Sequence, residues 1–125
     1  RCSLYKVYED DNFLAFLDIR PISKGHTLII PKKHYTNIFD IDSEDVLKGY
    51  FPAVQKVAIA VKKALNADAI NIGMNNGEMA GQVVMHPHVH VIPRFSSDGL
   101  RNWDRVVEID GKELEEIGEK IRKEI

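Results

Sequence analysis

Residues 82–94 read Gln-Val-Val-Met-His-Pro-His-Val-His-Val-Ile-Pro-Arg and carry three of the chain's five histidines at alternate positions. Successive side chains on a β-strand point to opposite faces, so His86, His88 and His90 are expected to line one face of a strand over 86–92. The apolar run Val89, Val91 and Ile92 reads as buried, and Pro93 as the stop. Pro87 faces away from the imidazoles and has no N–H, which places it at a strand start or edge.

The remaining chain supplies partners for such a strand. Lys6–Glu9 and Phe13–Leu17 are short β-type runs around the turn cluster Asp10-Asp11-Asn12, a hairpin pattern. A loop punctuated by Pro21 and Gly25 leads to a third strand, 26–31, which Pro31 ends. Ser43 or Asp42 can cap a helix over 43–65, in which Val46, Leu47, Tyr50, Phe51, Val54, Val57, Ala58, Val61 and Leu65 make one wide apolar face. Pro52 lies inside it and is expected to bend it or shift its start. A fourth strand, 69–75, and a glycine-bearing connection lead into the histidine strand, which predicts an antiparallel pair. Trp103 falls in an irregular segment. Asp110 can cap a last helix whose Leu114, Ile117, Ile121 and Ile125 form a narrow stripe amid charge, the pattern of a surface strut within a tail over 96–125. The sum is an α+β class chain: an antiparallel five-stranded sheet with one long helix and a C-terminal helix, in a single domain over 1–125.

Composition narrows the function classes. Seventeen basic residues against 19 acidic ones give a net charge of −2, so no basic field argues for a nucleic acid polymer as partner. No apolar run approaches membrane-spanning length. The one cysteine, Cys2, excludes an internal disulfide and fits a reducing, cytoplasmic setting.

A row of imidazoles admits three chemistries. A hydrogen-bonded polar face accounts for one histidine but not for three in register. A metal centre would use His-x-His and a third ligand from elsewhere. Nucleophilic catalysis would use one neutral ring nitrogen, with its neighbours orienting it and stabilising charge. His86-Pro-His88-Val-His90-Val-Ile resembles the signature of the histidine-triad family of nucleotide hydrolases and transferases, and the likeness extends over roughly residues 5–95. The resemblance implies the same α+β fold, with two chains commonly joining their sheets as a homodimer.

The resemblance also implies site roles. Phe13–Asp18 is similar to the family's second strand, whose terminal aspartate binds ribose hydroxyls; that role falls to Asp18. Residues 25–34 match a strand and basic loop that put His26 near the phosphates, whereas Lys32 and Lys33 read as a solvated turn. Asn75 and Gln82 match amides that contact the phosphates or leaving group. Val83 departs from relatives carrying Ser or Thr there, which bears on rate and leaving-group preference rather than on reaction class. Relatives with N-terminal cysteines hold zinc through the equivalents of His34 and His86; with Cys2 alone here, a structural zinc is an option and no cofactor is required.

The implied reaction is attack by His88 on the α-phosphorus of a nucleoside 5′-phosphoryl compound, followed by hydrolysis of the nucleotidyl-imidazole to a mononucleotide such as AMP. His90 would donate to a phosphate oxygen or the leaving group, and His86 would buttress the row. The expected ligand is a purine mononucleotide or dinucleotide. Ile92-Pro93-Arg94 and the tail lean towards dinucleoside polyphosphate hydrolysis over nucleoside phosphoramidase activity. Two alternatives stand beside this reading: a metal-dependent hydrolase using the triad as ligands, and a non-catalytic purine nucleotide-binding module.

Overall fold

The computed structural model describes residues 5–99 and 106–125, so Cys2 and Trp103 lie outside the described residues. Its elements are β1 (Lys6–Glu9), β2 (Phe13–Leu17), β3 (Thr27–Pro31), α1 (Glu44–Leu65), β4 (Ala69–Gly73), β5 (Val89–Arg94) and α2 (Gly111–Glu124). The five strands form one antiparallel sheet in the order β1-β2-β3-β5-β4. The β1–β2 turn is closed by Asp10, whose carboxylate accepts from the backbone N–H groups of Asn12 and Phe13, both at 2.8 Å.

Both helices pack on one face of the sheet. Val57 and Val61 of α1 and Ile121 of α2 share a core with Phe13, Ala15, Ile29, Val89 and Val91. Alternation along the strands then leaves His90 and Leu28, which oppose each other across β3 and β5, on the face turned away from the helices. That face carries the histidines.

α1 begins where expected, with the Ser43 hydroxyl accepting from the Val46 N–H at 3.2 Å. It runs unbroken through Pro52, so the anticipated shift of its start does not occur. Proline and Lys48, whose carbonyl loses its helical partner, are both exposed, and water can serve that carbonyl. Leu47 and Phe51 belong to the predicted apolar face but remain exposed, because the sheet covers only part of it.

Two further expectations are corrected. The histidine strand does not span 86–92: pairing starts at Val89 and continues through Pro93 to Arg94. Extending the β3–β5 register backwards would set Pro87 against Pro31, and neither has an N–H to donate. At the other end, the Arg94 carbonyl accepts from Asp68 N–H on the β4 side, so Pro93 faces the opposite edge, where β3 has ended. A proline there interrupts nothing. Nor is α2 a mere surface strut: Leu114, Ile117 and Ile121 are buried, and Arg122 donates to the Lys6 carbonyl at 2.7 Å, fastening the helix to β1.

Candidate active site

His90 alone of the triad sits on a strand; His86 and His88 lie in the extended approach to it. They are nevertheless ordered by hydrogen bonds that determine which nitrogen of each ring bears its proton.

His26 comes first. Gly25 precedes it with φ +102°, and a Cβ there would lie 2.1 Å from Leu65 Cδ1, so only glycine lets the chain enter β3 at this angle. His26 is buried, and its Nδ1 accepts from the Ile22 backbone N–H at 3.0 Å. A neutral ring has one proton, which must then be on Nε2. That nitrogen is 2.9 Å from His90 Nδ1 and donates to it. His90 Nδ1 is therefore an acceptor, and the proton of neutral His90 resides on Nε2. Burial, reinforced by the neighbouring histidines, pushes His26 down to about 3 and His90 to about 4, so both are neutral near pH 7.

His88 is set by a different partner. Its Nδ1 donates to the His86 carbonyl at 2.8 Å, so in the neutral ring Nε2 bears the lone pair. Its ring meets that of His90 edge-on, with centroids 5.0 Å apart. His86 in turn donates through Nε2 to the Pro31 carbonyl at 3.0 Å, and its Nδ1 lies 3.1 Å from His34 Nδ1. Two histidine pairs, His34–His86 and His26–His90, thus flank His88.

Asp18 directly follows β2 and stands beside this row. One carboxylate oxygen accepts from the Arg20 N–H at 2.9 Å, and the other stands 3.8 Å from His26 Nε2. Burial raises its pKa above the usual carboxylate value, opposed by that N–H and by the neighbouring His88 and Arg20 side chains. The two amides separate in their surroundings. Asn75 lies against Gly81, where a Cβ would come within 3.3 Å of Asn75 Nδ2, and its side chain forms no hydrogen bond among the described residues. Gln82 is 2% exposed, and its amide is engaged by protein groups on both sides. Lys32 is exposed and pairs with Glu9, as suits a solvated turn.

Among the described residues, groups able to ligate a cation come together in two places. Asp18, His26 and His90 bring ligand atoms within 4.8 Å of one another. Yet the His26 Nδ1 lone pair is occupied by Ile22 and its Nε2 is protonated, so a cation would have to displace one of them. His34 and His86 present two Nδ1 atoms at a separation suited to a shared tetrahedral ion. Among the described residues no third ligand joins them.

A HIT domain match covers residues 4–97 of the 125. The chain belongs to the HIT family. An uncharacterized HIT-like protein of Saccharolobus solfataricus is 53% identical over 94 residues, spanning 75% of this chain and 67% of that relative. An adenylylsulfatase of Arabidopsis thaliana is 43% identical over 95 residues, 76% of this chain and 48% of its own length. Among solved structures, a hypothetical histidine triad nucleotide-binding protein from Sulfolobus tokodaii superposes with a TM-score of 0.87 at 38% identity, covering 98% of this chain and 89% of the other. HIT proteins are nucleotide-binding hydrolases and transferases, and the five-stranded sheet with two helices described above is the HIT fold. Sequence reasoning missed the Ile22 N–H as the group that orients His26. The only signal was the Pro21-to-Gly25 punctuation, which marks a chain doubling back just before that histidine.

Proposed function

We propose that this HIT protein hydrolyses nucleoside 5′-phosphoryl compounds through a nucleotidyl intermediate on His88. The observation that carries the reading is the His88 Nδ1–H bond to the His86 carbonyl, because it leaves an unprotonated Nε2 on the central ring. That nitrogen attacks the α-phosphorus in line; the P–N bond forms as the bond to the leaving group breaks. Asp18 accepts from the ribose hydroxyls, and Asn75 donates to phosphate or leaving-group oxygens. Water then opens the P–N bond, releasing a mononucleotide such as AMP and restoring His88. No cofactor enters these steps.

His90 donates through Nε2–H to a phosphate oxygen or to the departing atom. Held neutral, and backed by a His26 whose only proton already points at it, His90 suits a leaving group that departs as a stable anion. This supports a phosphoanhydride such as a dinucleoside polyphosphate over a phosphoramidate, and agrees with the activity in the Arabidopsis relative's name. The metal-hydrolase alternative draws on the Asp18–His26–His90 grouping but conflicts with the proton positions there. Structural zinc, where present, would be held by His34 and His86 with ligands from outside the described residues.

A homodimer is supported by exposed Leu47 and Phe51 on α1 and Ile72 on the edge strand β4. The decisive assay compares wild type and His88→Ala on diadenosine tetraphosphate and adenosine 5′-phosphoramidate. Turnover of either by wild type with near-complete loss in the variant supports the reading; near-normal turnover by His88→Ala defeats it. Faster hydrolysis of the phosphoramidate would overturn the leaving-group preference alone.

A further inference from the structure

We infer that Gln82 is a positioning residue, not a phosphate ligand: its buried amide ties two loops together and holds the backbone that fixes the His88 proton. The inference rests on the assignment of His88 as nucleophile.

Every polar atom of the Gln82 side chain is engaged by protein. Nε2 donates to the Thr36 carbonyl at 2.6 Å and to the Val84 carbonyl at 3.0 Å. Oε1 accepts from the Gly77 N–H at 2.8 Å and lies 3.4 Å from Asn37 Nδ2. An amide nitrogen has two protons, and both are spoken for, so neither can turn to a phosphate without orphaning a carbonyl. The segment after His34 and the turn at 77–81 are thereby lashed together, with Asn76 adding a bond from Ile38 N–H at 2.9 Å.

The lashing reaches the nucleophile by a short chain of bonds. The Val84 carbonyl that takes a proton from Gln82 also accepts the His86 N–H at 2.9 Å. The His86 carbonyl, one peptide further on, accepts His88 Nδ1–H. From the other side, the Thr36 carbonyl anchors the segment that brings His34 to the His86 ring. Gln82 therefore fixes where the His86 peptide sits, and that peptide decides which nitrogen of His88 is unprotonated. The exposed neighbours Val83, Val84 and Met85 offer no polar side chain that could substitute.

The test begins with wild-type protein. Side-chain NH₂ resonances of Gln82 and Asn75 are followed by NMR while AMP, and separately adenosine 5′-(α,β-methylene)diphosphate, is added. The clamp predicts slowly exchanging Gln82 protons that barely move with either ligand; large Gln82 shifts would overturn it. Gln82→Glu then removes both donors at nearly constant size. The expected outcome is a fall in kcat of about 10- to 100-fold with KM and AMP affinity within about twofold of wild type, equal for both substrates. The His88 ring nitrogens should change from a single tautomer to a mixture in ¹⁵N spectra, which a loss of general stability would not cause. A matching loss of AMP affinity, or an unaltered His88 tautomer, contradicts the clamp. His88→Ala assayed in parallel separates the two ideas: turnover by that variant removes the nucleophile, whereas the Gln82 shifts judge the clamp by themselves. If Gln82→Glu fails to fold, the wild-type titration still decides.

Discussion

The ring nitrogens of His26, His90 and His88 are each assigned a role by one hydrogen-bond partner. Ile22 takes the His26 Nδ1 lone pair, His26 takes that of His90, and the His86 carbonyl takes the His88 Nδ1 proton. His26→Ala should therefore damage catalysis without touching substrate: His90 would lose the N–H that holds its Nδ1 as an acceptor. A drop in kcat of about 10- to 100-fold with KM little changed is expected from steady-state kinetics. A rise in KM at constant kcat would mean that His26 serves binding instead. A second single-residue prediction concerns Tyr35, whose buried hydroxyl has no hydrogen-bond partner among the described residues. Tyr35→Phe should leave stability unchanged or raise it by about 1 kcal/mol in urea denaturation. A clear loss would reveal a partner for that hydroxyl.

At the scale of elements, α1 keeps a proline that a helix of its length has no need of. Pro52→Ala restores an N–H to the Lys48 carbonyl and should stabilise the fold by about 1–3 kcal/mol, checked by thermal or urea unfolding. α2 makes the opposite point. Ile121 is fully buried between the helices and the sheet, so Ile121→Ala should cost about 2–5 kcal/mol; a cost near zero would restore α2 to a surface role. These two helices also mark how far the sequence could be read. The β1–β2 hairpin, the Ser43 cap and the Asp110 cap were legible because each is decided by residues within a few positions. The burial of α2 depends on β1, more than 100 residues away, and no local window contains it. The false start of β5 at residue 86 has a similar origin: the alternation of histidines is real, but pairing is limited by Pro31 on another strand. The triad and Asp18 were legible through their motifs, whereas the bonding of Gln82 and the anchor at Ile22 appear only once the loops are folded against each other.

For the whole molecule, burial of neutral imidazoles couples folding to pH. His26 and His90 titrate near 3 and 4 in the folded chain and near 6.5 when unfolded. As pH falls below 6.5 the unfolded chain takes up these protons first, so stability that is complete above 6.5 is lost between 6.5 and about 3. Urea midpoints measured across that window should decline with acidity, and more gently in His26→Gln; a flat profile would contradict the buried neutral pair. The sheet brings this pair, Asp18 and the approach to β5 to one face, with both helices on the other, so the chemistry is supported by the core without being enclosed in it.

The most direct measurement is mass spectrometry of the rapidly quenched reaction with diadenosine tetraphosphate. The account predicts an adenylyl group on the peptide containing His88, present during turnover, absent after substrate is exhausted and absent in His88→Ala. Steady turnover with no such adduct, or an adduct carried by another residue, would contradict it.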